Sequence, residues 1–229
     1  YCEPEVAHAM VRILREGDCC IDIGANIGFL TLLMGKLVGA SGAVTAFEPA
    51  PNTIIKLREN IRANNLKHVF PMQKAVSDKV KNVTLHMDID SGRNALARTP
   101  RSIGSLPLTT TTLDDVMTSG TCRLIKMDVE GSELDVALGA SRLFQPHATP
   151  YIISEINEEC LQLMDASADK FRGWMQTKGY DTFLLHENGA LPTLLPAKTR
   201  ISGERLNVNV LFSTIDAVGE IWDEVVLCL

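Results

Sequence analysis

The sequence contains 229 residues, of which 45% are hydrophobic and 22% are charged, and its formal net charge is −6. A chain of this length can bury one sizeable α/β core, and nothing in its composition demands a second domain. The acidic charge, which no block of lysine and arginine residues offsets, argues against a nucleic-acid-binding face, and no apolar run approaches the roughly 20 residues of a membrane span.

Short apolar runs alternate with segments of helical periodicity along most of the chain, which is typical of consecutive βα units. A first helix is predicted between Val6 and Leu14, where apolar residues recur at helical spacing. The apolar runs that follow predict the strands Cys19–Ile23, Val44–Phe47, Val69–Val76, Leu124–Val129, Tyr151–Ile156, Tyr180–Leu185 and Val208–Phe212.

Residues 82–116 interrupt this alternation. Apolar residues at alternate positions in Val83–Met87, and less cleanly in Leu106–Thr112, predict two strands that pair with each other. The loop Asp88–Pro107 between them is long enough to suggest a functional segment. It carries three arginines, which either contact an acidic partner or only aid solubility: Arg93, Arg98 and Arg101.

The stretch Asp22–Gly28 reads D-I-G-A-N-I-G and joins the first of these strands to a helix. Its glycines allow a sharp turn and the close approach of a ligand, and the helix directs its unpaired N–H groups toward the turn. Asn26 stands where the dinucleotide motif G-x-G-x-x-G has its second glycine, which disfavours an NAD-dependent oxidoreductase. We predict a nucleoside site here, with a tight βα turn capped by Asp22 as the alternative.

Glu48 strengthens the prediction of a ligand site. It follows the second strand, 20 residues after Gly28, where a carboxylate can accept hydrogen bonds from both ribose hydroxyls. Ser77, Asp128 and Glu155 follow further strands, so these side chains are expected at one edge of a parallel sheet.

Lys126, Asp128 and Glu130 alternate at the fourth strand, which predicts that they lie on one side of it. Three charges in a buried strand are costly unless they pair or bind a ligand. An ion pair that only locks the sheet explains Lys126, whereas Asp128 at the end of the strand is a functional candidate. Glu133 is interpreted as a first-turn acid that complements a helix dipole.

Four segments resemble, in order, the motifs of the FkbM family of class I S-adenosylmethionine-dependent methyltransferases: Asp22–Gly28, Phe47–Pro49, Lys74–Asp78 and Ile125–Glu133. The resemblance implies a doubly wound, Rossmann-like α/β fold. The expected sheet is mainly parallel, with about seven strands, a C-terminal antiparallel strand and helices on both faces. The chain would form one domain, 1–229, with a strand-loop-strand region inserted at about 82–116.

The resemblance also implies S-adenosyl-L-methionine as cofactor. The residues that would bind it are Asp22, Gly24, Ala25, Asn26, Gly28, Glu48, Pro49, Ala75, Val76, Ser77 and Asp128. Glu3 is a further candidate at the methionine end, with a helix-entry acid as the alternative.

Methyl transfer from a sulfonium requires alignment of the acceptor and removal of its proton. Asp128 and Glu155 are the candidate bases, and Lys126 completes the predicted catalytic set. Mg²⁺ held by Asp128, Glu130 and Glu155 is a less favoured alternative, because the resemblance requires no metal. The expected reaction is O-methylation of a small molecule, glycan or natural product, with N-methylation or a non-catalytic nucleoside-binding module as alternatives.

The six cysteines include no C-x-x-C pair, and no histidine lies at zinc-finger spacing from them. Reduced thiols and a cytoplasmic location are therefore expected. An N-terminal targeting or anchor segment ahead of Tyr1 is left open. The partners expected are an acceptor substrate, no nucleic acid and no membrane, for a monomer or a homodimer.

Overall fold

A computed structural model describes residues 3–89, 93–117, 121–197, 199, 201 and 207–223. Its strands are β1 Cys19–Ile23, β2 Ala43–Phe47, β3 Val69–Met72, β4 Ala75–Val76, β5 Asn82–Asp88, β6 Ser102–Thr111, β7 Leu124–Met127, β8 Tyr151–Asn157, β9 Asp181–Leu184, β10 Thr193–Leu195 and β11 Asn207–Ser213. Its helices are α1 Pro4–Ile13, α2 Phe29–Val38, α3 Pro51–Ala63, α4 Leu113–Val116, α5 Glu133–Leu138, α6 Glu158–Leu163, α7 Ala168–Thr177 and α8 Ile215–Asp223.

The main sheet of the described residues has eight strands in the order β10-β9-β11-β8-β7-β1-β2-β3. Neighbouring strands from β8 to β3 are parallel, whereas β11 is antiparallel to both β8 and β9. The predicted mainly parallel sheet with an antiparallel C-terminal strand is therefore confirmed. The additional strand β10 pairs with β9 at the edge, and its three largely exposed residues are too few to form a recognisable strand pattern in the sequence.

Helices cover both faces of this sheet, as predicted. On one face, α1, α2, α3 and α8 bury apolar residues such as Met10, Met34 and Leu57 against the strands. On the other face, α4 to α7 contribute residues such as Val136 and Phe171 to a second core. None of the helices in the described part of the chain is both long and apolar enough to cross a membrane.

The prediction of one strand over Val69–Val76 is wrong. A tight turn, in which the Lys74 N–H donates to the Met72 carbonyl over 3.0 Å, separates β3 from β4. β3 continues the main sheet beside β2, whereas β4 pairs with β6 in a second sheet of order β4-β6-β5.

The predicted pairing within the inserted region is confirmed, because β5 and β6 are antiparallel. The predicted loop Asp88–Pro107 is too long, since β6 already begins at Ser102. Alternate residues of β6 up to Thr109 are exposed, and Gly104 and Pro107 weaken the strand pattern in the sequence. Part of the predicted loop, residues 90–92, lies outside the described residues.

The fourth predicted strand, Leu124–Val129, ends earlier, because β7 stops at Met127. The Asp128 N–H still donates to the Ile23 carbonyl over 3.0 Å, after which the chain turns away from the sheet. Asp128 therefore stands at the carboxyl end of β7, beside the end of β1.

Candidate functional site

A cavity of about 370 Å³ lies at the carboxyl ends of β1, β2 and β7. Its size falls within the range of small-molecule sites, roughly 300–1,000 Å³, and the carboxyl edge of a doubly wound sheet is where ligands bind. The predicted site residues that line it are Asp22, Gly24, Ala25, Asn26, Glu48, Pro49, Ala75, Val76, Lys126, Asp128 and Glu155. Thus the cavity brings together most of the residues that the sequence singles out.

Gly28 and Ser77, which the sequence predicts to contact the cofactor, are not among the residues that line the cavity. Gly28 begins α2 with a φ of 99°, and a Cβ there would lie 2.4 Å from Cδ1 of Leu57, so the glycine serves helix packing. The Ser77 hydroxyl is buried and lies 3.1 Å from Asp78 Oδ1 and 3.4 Å from Asp135 Oδ2, to which it donates.

The conformation of the turn after β1 is fixed by contacts with other segments of the chain. Gly24 has a φ of 80°, and a Cβ there would lie 1.8 Å from the Asp128 carbonyl oxygen. The missing side chain therefore makes room for the backbone of Asp128, just after β7, and Gly24 also lines the cavity. Asp22, which is 1% exposed, accepts a hydrogen bond of 2.6 Å from the Thr31 hydroxyl and so ties the turn to α2.

The Glu48 carboxyl group connects this turn to the start of α3 through hydrogen bonds. Its Oε2 accepts the Asn26 N–H over 3.0 Å, and its Oε1 accepts the Ala50 N–H over 2.8 Å. Burial raises the pKa of the Glu48 carboxyl to about 7, because desolvation outweighs these two hydrogen bonds. Each carboxylate oxygen has a further lone pair, so both can still accept from a ligand hydroxyl.

Lys126 is the buried cation of the cavity. Its Nζ lies 3.4 Å from Asp128 Oδ2 and 4.0 Å from Asp22 Oδ1, and the residue is only 5% exposed. Burial lowers the pKa of Lys126, but the nearby carboxylates of Asp128, Asp22 and Glu3 raise it by more, so the net change is upward. Lys126 is therefore charged, and its ammonium lies within ion-pair distance of Asp128 and Asp22.

Three carboxyl groups lie close together on one wall. One oxygen from each of Asp128, Glu130 and Glu155 lies within 4.8 Å of the others, which is a spacing that could hold a metal ion. Burial, then Asp128 and Glu130, raise the pKa of Glu155 well above its ordinary value, and Asn207 Nδ2 donates to Glu155 Oε1 over 2.9 Å. Its surroundings therefore favour the protonated form of Glu155.

The predicted strand alternation does not explain why Glu130 joins this group. Glu130 lies in the turn after β7 with a φ of 50°, a left-handed conformation that no strand residue adopts. Its Oε2 accepts a hydrogen bond of 3.4 Å from the Cys160 thiol, and burial raises the pKa of Glu130 to about 7.

The inserted strands supply a wall of the cavity through Leu85, Arg93, Asn94 and Leu96. Only Arg93 had been singled out by the sequence. Neither Arg98 nor Arg101 lines the cavity, and Arg101 instead lies 3.6 Å from Asp88.

Asn94 and Asn207 are functional candidates that the sequence reasoning misses. Asn94 accepts the Asp88 N–H over 3.0 Å, and Asn207 reaches the cavity from the antiparallel strand β11. No motif marks either asparagine. Glu3, from the entry to α1, also lines the cavity, and burial raises its pKa.

The sheet order and the cavity at the strand ends define a Rossmann-like protein of the methyltransferase type. Solved structures with this fold include Aeropyrum pernix fibrillarin with bound S-adenosyl-L-methionine, at 14% identity and a TM-score of 0.52, covering 91% of this chain and 74% of that one. A SAM-dependent O-methyltransferase from Thermotoga maritima has 13% identity and a TM-score of 0.52, covering 93% and 66%. An rRNA methylase from Streptococcus thermophilus has 7% identity and a TM-score of 0.52, covering 91% and 94%.

No relative was found among curated protein sequences. The Methyltransferase FkbM domain, however, matches residues 22–182, which is more than half of the chain. The chain therefore belongs to the FkbM methyltransferase family, as the resemblance of its motifs implied. It is an S-adenosyl-L-methionine-dependent methyltransferase.

Proposed function

We propose that this methyltransferase transfers the methyl group to a hydroxyl of a small molecule, glycan or natural product. The observation that carries the proposal is the state of Asp128, which lines the cavity beside Lys126. Its Oδ2 faces the ammonium at 3.4 Å, while its buried Oδ1 accepts no hydrogen bond from any residue that the structure describes. A carboxylate that lies beside an ammonium and keeps lone pairs without a hydrogen-bond donor is suited to accept a proton.

The cavity suits the methyl donor. The backbone from Gly24 to Asn26 would hold its methionine and ribose portions, and Glu48 would accept both ribose hydroxyls. Ala75 and Val76, with Leu85 beside them, form an apolar wall for adenine. Asp22 and Glu3, which both lie near Lys126, would face the amino group at the methionine end.

When bound, S-adenosyl-L-methionine supplies a methyl group activated by a sulfonium sulfur. The chain's own part is to align the acceptor oxygen with that methyl carbon, to exclude water and to take the proton. Asp128 accepts the hydroxyl proton as the new carbon–oxygen bond forms and the carbon–sulfur bond breaks. Lys126 keeps Asp128 oriented, and Glu155, whose raised pKa favours the protonated form, can hydrogen-bond the acceptor as a donor.

The acceptor side of the cavity is lined by Arg93 and Asn94 of the inserted region and by Asn207. We propose that Arg93 favours an acceptor with an acidic or phosphorylated group. Arg98 and Arg101 of the same loop do not line the cavity, which leaves Arg93 as the candidate among the three arginines.

We further propose that residues 1–229 form a single domain and act in the cytoplasm as a monomer or a homodimer without a nucleic-acid partner. Free thiols at Cys19, Cys20, Cys122 and Cys160 support a reducing compartment. The likeness to an rRNA methylase makes RNA an acceptor that has to be tested.

The proposal can be tested with a panel of acceptors and a donor that carries a deuterated methyl group. The panel contains methyl glucoside, glucose 6-phosphate, catechol, ethanolamine and a short RNA. Mass spectrometry should detect the labelled methyl group on a hydroxyl of one of the first three. Transfer only to the nitrogen of ethanolamine or only to RNA would overturn the choice of acceptor, and donor binding without transfer would favour a non-catalytic module.

A further inference from the structure

Glu133 is a buried carboxyl group that does not line the cavity. It is 2% exposed, and it is the first residue of α5. Its Oε1 accepts the N–H groups of Val129 and Gly131 over 3.2 and 3.3 Å. These are the two amides on either side of Glu130, so one carboxyl oxygen holds both ends of the turn that carries this residue. This role differs from the predicted interaction with a helix dipole.

The turn needs such support because its backbone is left-handed at two successive residues. Glu130 has a φ of 50° and Gly131 a φ of 102°. A left-handed conformation is unfavourable for a residue with a side chain and persists only where its surroundings enforce it. At Gly131 a Cβ would lie 2.3 Å from the Cys160 carbonyl oxygen, so α6 packs directly against the turn.

The turn fixes the position of the carboxylates that face the cavity. Asp128 precedes it and is anchored by its N–H to the Ile23 carbonyl, whereas Glu130 lies within it. The oxygens of Asp128, Glu130 and Glu155 approach within 4.8 Å of one another only because the chain reverses at this point. If the amides of Val129 and Gly131 were released, Glu130 could return to a right-handed conformation and leave this group.

We propose that Glu133 is a positioning residue, which holds the turn so that Asp128 and Glu130 face the acceptor. The kinetic part of this inference rests on the proposed function. Its geometric part concerns only the chain's own carboxyl groups. A misplacement of about 1 Å by a residue outside the chemistry can lower a rate by about 10²-fold.

Three substitutions of Glu133 separate positioning from folding. Glu133→Gln keeps an oxygen that can accept both N–H groups, Glu133→Ala removes it, and Glu133→Asp keeps the charge but shortens the reach. The matched control is Asp114→Ala. Asp114, in α4, also accepts a backbone N–H, that of Arg142 after α5, over 3.3 Å. Neither residue lines the cavity.

The first readout needs no acceptor. Carboxyl groups labelled with ¹³C are titrated by NMR in the wild type and in each variant, and binding of S-adenosylhomocysteine is measured by calorimetry. In Glu133→Ala and Glu133→Asp the raised pKa of Glu130 should fall toward its ordinary value, because Glu130 leaves its buried position. Glu133→Gln and Asp114→Ala should leave the Glu130 titration unchanged, and all the variants should bind S-adenosylhomocysteine within about threefold of wild type.

The second readout is kcat for whichever compound of the acceptor panel the wild type methylates. Glu133→Ala should lower kcat by about 10²-fold, and Glu133→Gln should restore it to within about fivefold of wild type. If Glu133→Ala fails to fold, Glu133→Asp provides the same comparison.

The outcomes distinguish this inference from the proposed function. If the wild type methylates nothing in the panel, the proposed function fails, and the Glu130 titration alone decides the role of Glu133. An unchanged titration in Glu133→Ala or Glu133→Asp overturns the positioning role. A kcat loss of equal size in Glu133→Gln and Glu133→Ala, or in Asp114→Ala, also overturns it.

Discussion

Asp128→Asn is the substitution that tests the proposed chemistry most directly. Asparagine has the shape of aspartate but cannot take up the acceptor's proton. Removal of a general base typically lowers a rate by about 10²–10⁴-fold, which corresponds to about 2.7–5.4 kcal/mol at 1.36 kcal/mol per tenfold. Binding of S-adenosylhomocysteine should survive, because the other contacts expected for the donor remain.

The cost of Asp128→Asn in folding stability should be small enough to leave a folded protein. Loss of one partner from a fully buried ion pair costs about 3–5 kcal/mol. Here Lys126 keeps Asp22 at 4.0 Å, the Asp128 side chain is 22% exposed, and asparagine still offers Lys126 an oxygen. We therefore expect a loss of about 1–2 kcal/mol in the free energy of unfolding.

The assay compares kcat, the Kd for S-adenosylhomocysteine and the urea unfolding midpoint for Asp128→Asn and a matched control. The control is Asp135→Asn, which weakens the Lys81–Asp135 ion pair of 3.1 Å outside the cavity. The control should lose some stability without loss of kcat. A kcat for Asp128→Asn within a few-fold of wild type would refute the assignment and leave Asp128 as a structural partner of Lys126.

Four further predictions follow from the same cavity. Glu48→Ala should weaken binding of S-adenosylhomocysteine at least about tenfold, because two charge-assisted hydrogen bonds to ribose are worth about 1.5–3 kcal/mol each; an unchanged Kd would contradict this role. Arg93→Gln should raise the KM of a phosphorylated acceptor and leave donor affinity unchanged, whereas Arg98→Gln, from the same loop, should change neither. EDTA should leave kcat unchanged, because the Lys126 ammonium already lies 3.4 Å from Asp128; loss of activity that Mg²⁺ restores would establish a metal site. Burial raises the pKa of Glu48 and of Glu133 from 4.5 to about 7, so between these pH values the folded protein keeps protons that the unfolded chain loses. The contribution of these two groups to the free energy of unfolding should therefore fall as the pH rises from 4.5 to about 7. Urea titrations over this pH range should show a smaller fall for Glu133→Gln than for the wild type.

The sequence predicts the fold and many of the residues that line the cavity, because their signals are local. The apolar run before Asp22 and the acid after β2 are readable over a few residues, and parallel strands necessarily bring their ends to one edge. What each side chain faces was less predictable. Gly24 and Gly28 are required by protein neighbours, Asp128 and Leu57, that are distant in the sequence.

Most of the residues proposed for the acceptor side were not predicted, because their positions also depend on parts of the chain that are distant in the sequence. Asn94 reaches the cavity through the inserted strands and Asn207 through β11, so their positions depend on strand pairing and not on a motif. Glu133 was identified as a helix-terminal acid, but its bonds depend on a left-handed turn that the sequence pattern does not reveal.

The parallel pairing of β4 with β6 has a consequence for changes within the insertion. Ala75 and Val76, which line the cavity, are bonded in register with Thr110 and Thr111 at the base of the insertion. The described part of the connection, residues 89 and 93–101, lies between Asp88 and Ser102, at the opposite end of that hairpin. Changes in the length or composition of that connection would therefore leave the register between β4 and β6, and with it the position of Ala75 and Val76, unchanged.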